Sequence, residues 1–572
     1  MLTRRQALAL PALFAPRAQA QDALTLTAGP LSLVFEPKLA FVRYIKFGEH
    51  EVLRGIYAAV RDQVWGTVAP QVSNLVTEIK PAQFIIAFDV VCQEKDIDFH
   101  WQGRVTGNAT GEIKFTFDGQ ARSSFLRNRI GFCVLHPIAE CAGKPCEVEE
   151  DGGKITKGTF PLAIAPHQPF LNMKSVSHQL PGGAKVQVKF EGDLFEMEDH
   201  RNWTDGNYKT YCTPLARPFP HQVKQGDRIQ QAIVVTVTGG GAAPVIRKRH
   251  AVEITVAPNA TSKIPRLGTT HTGTLFNPRP TFAHLRLDLN AATLNWTKQI
   301  EATGGSIPLE LALELSDNAE AELASLANLK FPIARYLIYK TGEKSTNAKW
   351  IALARKHLKG APIASGTNIY FTELNRERPP LDLIDQACYS INPQVHAFDN
   401  TSLVENLEAQ GDTLRSARAF LGNKPIAVTP ITLRPRFNPE AKARVINPPD
   451  PRQSTPFAAA WTLGSIKYMA ENGAASVTYF EATGPGGLIH DRILPVGHLL
   501  QEVLPWQDAA VYLAKSSDPL KAVALVATKG KSRATFLANL TADALVVDCP
   551  HTTTNRLVPL LPYQTRKFET PA

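Results

Sequence analysis

The feature that most constrains this chain is a change of pattern after "APNATSKIP" (residues 257–265). From there, short apolar strand candidates alternate with helix-like runs. Eight strand candidates follow: Arg266–Thr270, His284–Asn290, Pro308–Ser316, Arg335–Lys340, Thr367–Glu373, Ala387–His396, Pro425–Leu433 and Ser476–Glu481. Runs such as "AKWIALARKHLKG" and "TPFAAAWTLGSIKYMAENG" between them carry the spacing of amphipathic or buried helices. Eight strand and helix units in about 235 residues predict a (β/α)8 TIM barrel over residues 263–497. The first two units are compressed, so their helices are expected to be short or missing.

The flanks read differently. Residues 21–262 alternate apolar and polar positions in strands such as "QFIIAFDVVCQ" and "GEIKFTFDG", with turn signals between them, which predicts a large antiparallel β-sandwich. Residues 498–572 return to strands and predict a smaller C-terminal β-sandwich. The fold class is therefore multidomain, α/β plus β.

Residues 1–20, "MLTRRQALALPALFAPRAQA", read as a twin-arginine-type signal peptide. Arg4 and Arg5 precede a weakly apolar run, and Ala18-Gln19-Ala20 is a cleavage site. A periplasmic or secreted protein is expected, with no membrane span after cleavage. Cleavage would lower the formal charge from +10 to +7, a mild excess. The basic run Arg247-Lys248-Arg249-His250 lacks interleaved aromatics and reads as a solvated hairpin, so no nucleic-acid partner is expected. The seven cysteines match no zinc motif, and neither a metal nor a cofactor is expected; Cys141 and Cys146 are close enough in sequence to close a small disulfide loop.

In a barrel the chemistry sits at the C-terminal ends of the strands. The candidates there are Glu373, Asn375 and Arg376 after strand five, Asn392, His396 and Asp399 after strand six, Arg434 and Arg436 after strand seven, and Glu481 after strand eight. Glu373 and Glu481 are the expected catalytic pair, two carboxylates across the mouth that divide acid and base roles. The structural alternative is that each clamps an arginine. His396 reads equally as a structural histidine or a proton carrier, Asp399 as a helix cap, and His271 and Asp288 as weaker strand-end candidates. Asn375, His396 and Arg434 are expected to bind substrate.

"FEMEDHRNWTDGNYKTYCTPL" (195–215) concentrates charge and rings, a combination that suits neither a dry core nor a plain solvated loop. Together with "LRNRIGFCVLHP", "PHQPF", "YFTELNR", "SINPQVHAFDN", "ITLRPRFNP" and "VTYFEATG", it resembles the D-apionate lactonases over nearly the whole mature chain. The resemblance implies an N-terminal β domain, a TIM barrel and a C-terminal β domain. It also implies hydrolysis of the lactone of a branched sugar acid in apiose catabolism, with a small sugar lactone as the partner. On this reading residues 195–212 form a flap at the barrel mouth. Trp203 or Tyr208 would stack on a sugar face, and Glu198 and Asn202 would bind hydroxyls. The alternative for this segment is a domain junction sealed by ion pairs. The competing functions are an exported glycoside hydrolase using the same glutamates and a non-catalytic carbohydrate-binding protein; the oligomeric state is left open.

Overall fold

The computed structural model describes residues 23–239, 250–272, 281–293, 295–440, 445–552 and 556–572. The leader and Arg247 to Arg249 of the basic run lie outside the described residues. The described residues fall into two compact units. The first comprises residues 23–134, 179–194 and 215–239, and the second residues 135–178, 195–214 and 250–572.

The first unit is built of long antiparallel strands. Gln83–Glu94 pairs with Ile97–Gly107, which pairs with Glu112–Ala121, which in turn pairs with Arg228–Thr238. Every second residue of Gln83–Glu94 from Phe84 to Cys92 is buried, the period of two that a half-buried strand requires. Phe88, Trp101, Phe115, Phe117 and Phe132 pack edge-on or tilted through this layer. Gly103 is needed there because a Cβ would fall 2.3 Å from the Phe88 ring.

The second unit contains the barrel. Its strands are β1 (Arg266–Thr270), β2 (His284–Leu289), β3 (Leu309–Leu315), β4 (Ile333–Lys340), β5 (Ile363–Gly366), β6 (Gln386–Ile391), β7 (Ile426–Ile431) and β8 (Ser476–Thr483). All neighbours pair in parallel, and β1 pairs with β8 to close the ring. No helix stands between β1 and β2 among the described residues, and Trp296–Glu301 between β2 and β3 is six residues long.

Two expectations need correction. Strand five is not Thr367–Glu373 but Ile363–Gly366, and Phe371–Arg376 is a helix. The chain breaks off at Gly366, where a Cβ would lie 2.2 Å from the Cys388 carbonyl oxygen. Strand Val252–Lys263, placed by sequence in the N-terminal domain, instead pairs antiparallel with Ala510–Ser516 and in parallel with Leu545–Asp548, inside the C-terminal seven-stranded sheet. Burial explains the choice: Val252 and Ile254 pack with Ala514, Val526 and Leu537 of that sheet, and removing such side chains from water is worth ~1.5–3 kcal/mol each.

The barrel interior carries a small apolar layer of Ala312, Leu337, Tyr339, Ala364, Cys388 and Ala427. Beside it lies a buried polar network. Arg286 donates to Thr429 Oγ1 at 3.0 Å, Thr429 donates to Glu310, and Arg335 faces Glu310 at 3.3 Å. Burial would raise the Glu310 carboxyl, but His284, Arg335 and Arg286 together hold it below its ordinary range. All seven cysteines are buried free thiols, so Cys141 and Cys146 are not bridged. No described helix is long and apolar enough to cross a membrane.

Candidate active site

The C-terminal ends of β2, β5, β6, β7 and β8 assemble one polar mouth. Arg286, fully buried on β2, reaches up to Asp288 Oδ1 at 2.6 Å and Asn368 Oδ1 at 3.0 Å. Arg436, after β7, donates to the same Asn368 Oδ1 at 2.7 Å and to its backbone oxygen at 2.8 Å. With two guanidiniums on its oxygen, the Asn368 amide presents its NH2 in another direction. Asn368, Tyr370, Ser390, Asn392, Thr432 and Arg436 line a cleft here. Burial pushes the Tyr370 hydroxyl up to about 12, so it is a neutral donor at any physiological pH.

Glu481 lies near the C-terminal end of β8, two residues before its last. Its register partner on β1 is Thr270, and Thr270 in turn aligns with Arg286 on β2. Alternate strands of a barrel share a layer, which is how Asp288 comes to act on Glu481 across β1. Burial, and then the Asp288 charge, raise the Glu481 carboxyl above its ordinary range. A carboxylate made more basic in this way suits proton abstraction near neutrality.

Glu373 stands in a different electrostatic setting. It lies on helix Phe371–Arg376, 8% exposed, and burial raises its carboxyl while Lys344 and Arg376 oppose the rise. The carboxylate that the structure brings to Glu481 is thus Asp288, which sequence reading ranked low because one aspartate in "LRLDLN" carries no spacing signal. Asn368 and Tyr370 were missed because their stretch was assigned to strand five. Of the strand-seven arginines, Arg436 lines the cleft, while Arg434 donates to the Pro448 carbonyl at 3.2 Å.

Segment 195–211 is mostly enclosed within the second unit. Tyr208 is 0% exposed and donates to the Pro161 carbonyl at 2.5 Å, so it offers no face to a sugar. Asn202 Nδ2 donates to Ala165 O and Asp199 O, and its Oδ1 accepts from Asn375 Nδ2 at 3.0 Å; the two amides hold segments together. Arg201 grips Asp199 at 2.8 Å and Asp412 at 3.3 Å. These contacts form an ion-paired seal, and they correct the flap expectation for Tyr208 and Asn202 and the substrate-binding expectation for Asn375. Trp203 remains partly exposed, with the Arg376 guanidinium 5.4 Å from its ring.

Glu198, His200 and His396 bring donor atoms within 4.8 Å of one another, a spacing that a metal ion would accept. The cation among them is the protein's own. Lys209 Nζ lies 2.6 Å from Glu198 and 3.1 Å from His200 Nε2. His396 Nδ1 meets Asp205 Oδ2 at 2.8 Å, and its ring stacks 4.0 Å from that of His200. Asp399 caps helix Asn400–Glu405 through Ser402.

Residues 12–240 match the family model described as D-apionate lactonase, N-terminal domain, and residues 258–515 match the D-apionate lactonase TIM barrel domain. A protein of Brucella anthropi named D-apionate lactonase is 32% identical over 517 residues, covering 81% of this chain and 83% of its own. Among solved structures, a GH51 arabinofuranosidase from Xanthomonas axonopodis pv. citri aligns at 11% identity and a TM-score of 0.39, over 56% of this chain and 98% of its own. A β-arabinopyranosidase aligns at 11% identity and a TM-score of 0.30, over 96% and 100%. Likeness at these scores bears on neither fold nor function.

Proposed function

The chain belongs to the D-apionate lactonase family of hydrolases, and from that premise we propose that it opens a branched sugar-acid lactone, D-apionolactone, to the aldonate in apiose breakdown. The observation that carries the reading is Glu481, half-buried and acted on by the Asp288 charge, at a mouth that also holds Arg436 and Asn368. Glu481 takes a proton from water as the water oxygen attacks the lactone carbonyl carbon. Arg436 and the Asn368 NH2 receive the developing oxyanion, a placement worth ~2.7–4 kcal/mol per donor in comparable sites. The ring C–O bond then breaks, and the departing alkoxide takes a proton. Glu373, the acid expected from the strand-end pattern, stands on helix Phe371–Arg376 instead and is not assigned that proton. The test is to assay the purified protein on D-apionolactone and on aryl glycosides. Acid release from the lactone is expected, and turnover of the glycosides alone would replace this reading with a glycosidase.

A further inference from the structure

We propose that the proton for the departing alkoxide comes from a His396–Asp205 dyad rather than from Glu373, an inference that rests on the barrel mouth being the hydrolytic site. His396 follows β6 by a few residues, and β6 ends at the cleft residues Ser390, Ile391 and Asn392. The 195–211 segment is fastened to this point. Thr204 Oγ1 donates to Asn392 O at 3.3 Å, the Gly206 amide donates to Asn406 Oδ1 at 3.1 Å, and Asn406 Nδ2 donates to Pro393 O at 3.0 Å.

Asp205, 5% exposed at its side chain, is thereby fixed as the acceptor of the His396 Nδ1–H at 2.8 Å. That bond leaves Nε2 as the nitrogen that takes up and gives back a proton, and a carboxylate at Nδ1 stabilises the imidazolium. The His396 side chain is 14% exposed, against a partner that is nearly enclosed, so the ring is the accessible end of the dyad.

Apart from the exposed Arg376, the other charged and titratable groups around His396 are buried. His200 stacks on it, Glu198 and Lys209 pair behind His200, and Trp203 stands edge-on at 5.5 Å with Arg376 beyond. Lys209 neutralises Glu198, leaving the Asp205 charge to act on the imidazoles.

In the step itself, the imidazolium Nε2–H passes its proton to the alkoxide as the C–O bond breaks. Neutral His396 is then recharged from solvent, while Glu481 releases the proton it took from water. Glu481 must be ionised and His396 protonated, so the rate follows a bell in pH, with Glu481 on the acid limb and His396 on the alkaline limb.

The experiment compares kcat, KM and pH profiles of the full chain and of His396→Gln, Asp205→Asn and Glu373→Gln on D-apionolactone, with melting curves for each. His396→Gln should lose ~10²-fold or more in kcat with KM little changed, and should lose the alkaline limb. Asp205→Asn should move that limb to lower pH, because the imidazolium loses its counter-charge. Glu373→Gln should stay near the parent. If His396→Gln keeps the parent profile, or if Glu373→Gln rather than Asp205→Asn alters the alkaline limb, the proposal fails. If His396→Gln does not fold, the Asp205→Asn limb decides. A parent chain that leaves the lactone untouched would instead overturn the proposed function.

Discussion

Arg201 and Arg286 are both buried guanidiniums, each gripping an aspartate two residues away, Asp199 at 2.8 Å and Asp288 at 2.6 Å. The aspartates differ. Asp199 is wholly enclosed, whereas the Asp288 side chain is 39% exposed. Around the first pair every neighbour closes the contact: carbonyls of Pro161 and Leu162, Asp412, and the Tyr208 hydroxyl all meet Arg201. Around the second, the aspartate opens onto the mouth and its charge reaches Glu481. The same chemical pair makes a fixed seal in one place and an electrostatic control in the other. Enclosure, not residue type, decides which.

The comparison breaks most severely at the seal. Arg201→Met should cost ~3–5 kcal/mol of stability, because it strands the Asp199 carboxylate in the interior. The check is a denaturant melt, and a loss below about 1 kcal/mol would show that the pair is not a seal. Next comes Glu481→Gln, expected to lower kcat ~10²-fold or more while the melting temperature stays near the parent. A stability loss without a rate loss would make Glu481 structural. The smallest effect is Asp288→Asn. It removes one of the causes raising the Glu481 carboxyl, so the acid limb of the pH profile should move to lower pH and activity should survive to more acidic conditions. An unmoved limb would deny Asp288 its control.

Much of the barrel was legible in the sequence because its strands are short, largely apolar stretches. "LELALEL" has a leucine at every second position, and β3 occupies those residues. Strand five was not, since "IYFT" has every local mark of a strand, yet β5 stops at Gly366 and Phe371–Arg376 is helical. That misplacement carried Glu373 to a strand end it does not occupy and hid Asn368 and Tyr370. Glu481 could be found because it ends an apolar run. Asp288 stood out only as a weak strand-end candidate, because its significance lies in a register between β8, β1 and β2 that no linear spacing records. The 195–211 segment was singled out for its density of charge, but density does not distinguish exposed from enclosed. Tyr208 and Asn202 needed their partners Pro161, Ala165 and Asn375 to be seen for what they do.

Helix Pro456–Glu471, the last before β8, is buried from Phe457 through Ala470 on every face. One side packs with barrel residues such as Leu407 and Tyr479, and the apolar cluster continues through Trp461 and Ile466 to Val523, Leu525 and Phe536 of the terminal sheet. Even its charges are internal, with Lys467 paired to Glu471 at 2.6 Å and Glu471 accepting from the Ala514 amide. A helix apolar all round has no solvent side to fall back on. Barrel and terminal sheet therefore lack a seam along which either could be lifted away. They should unfold in a single calorimetric transition, and a chain stopped before Ala510 would leave one wall of that helix bare and Val252–Lys263 without its partner strand, the open-edge condition that drives aggregation.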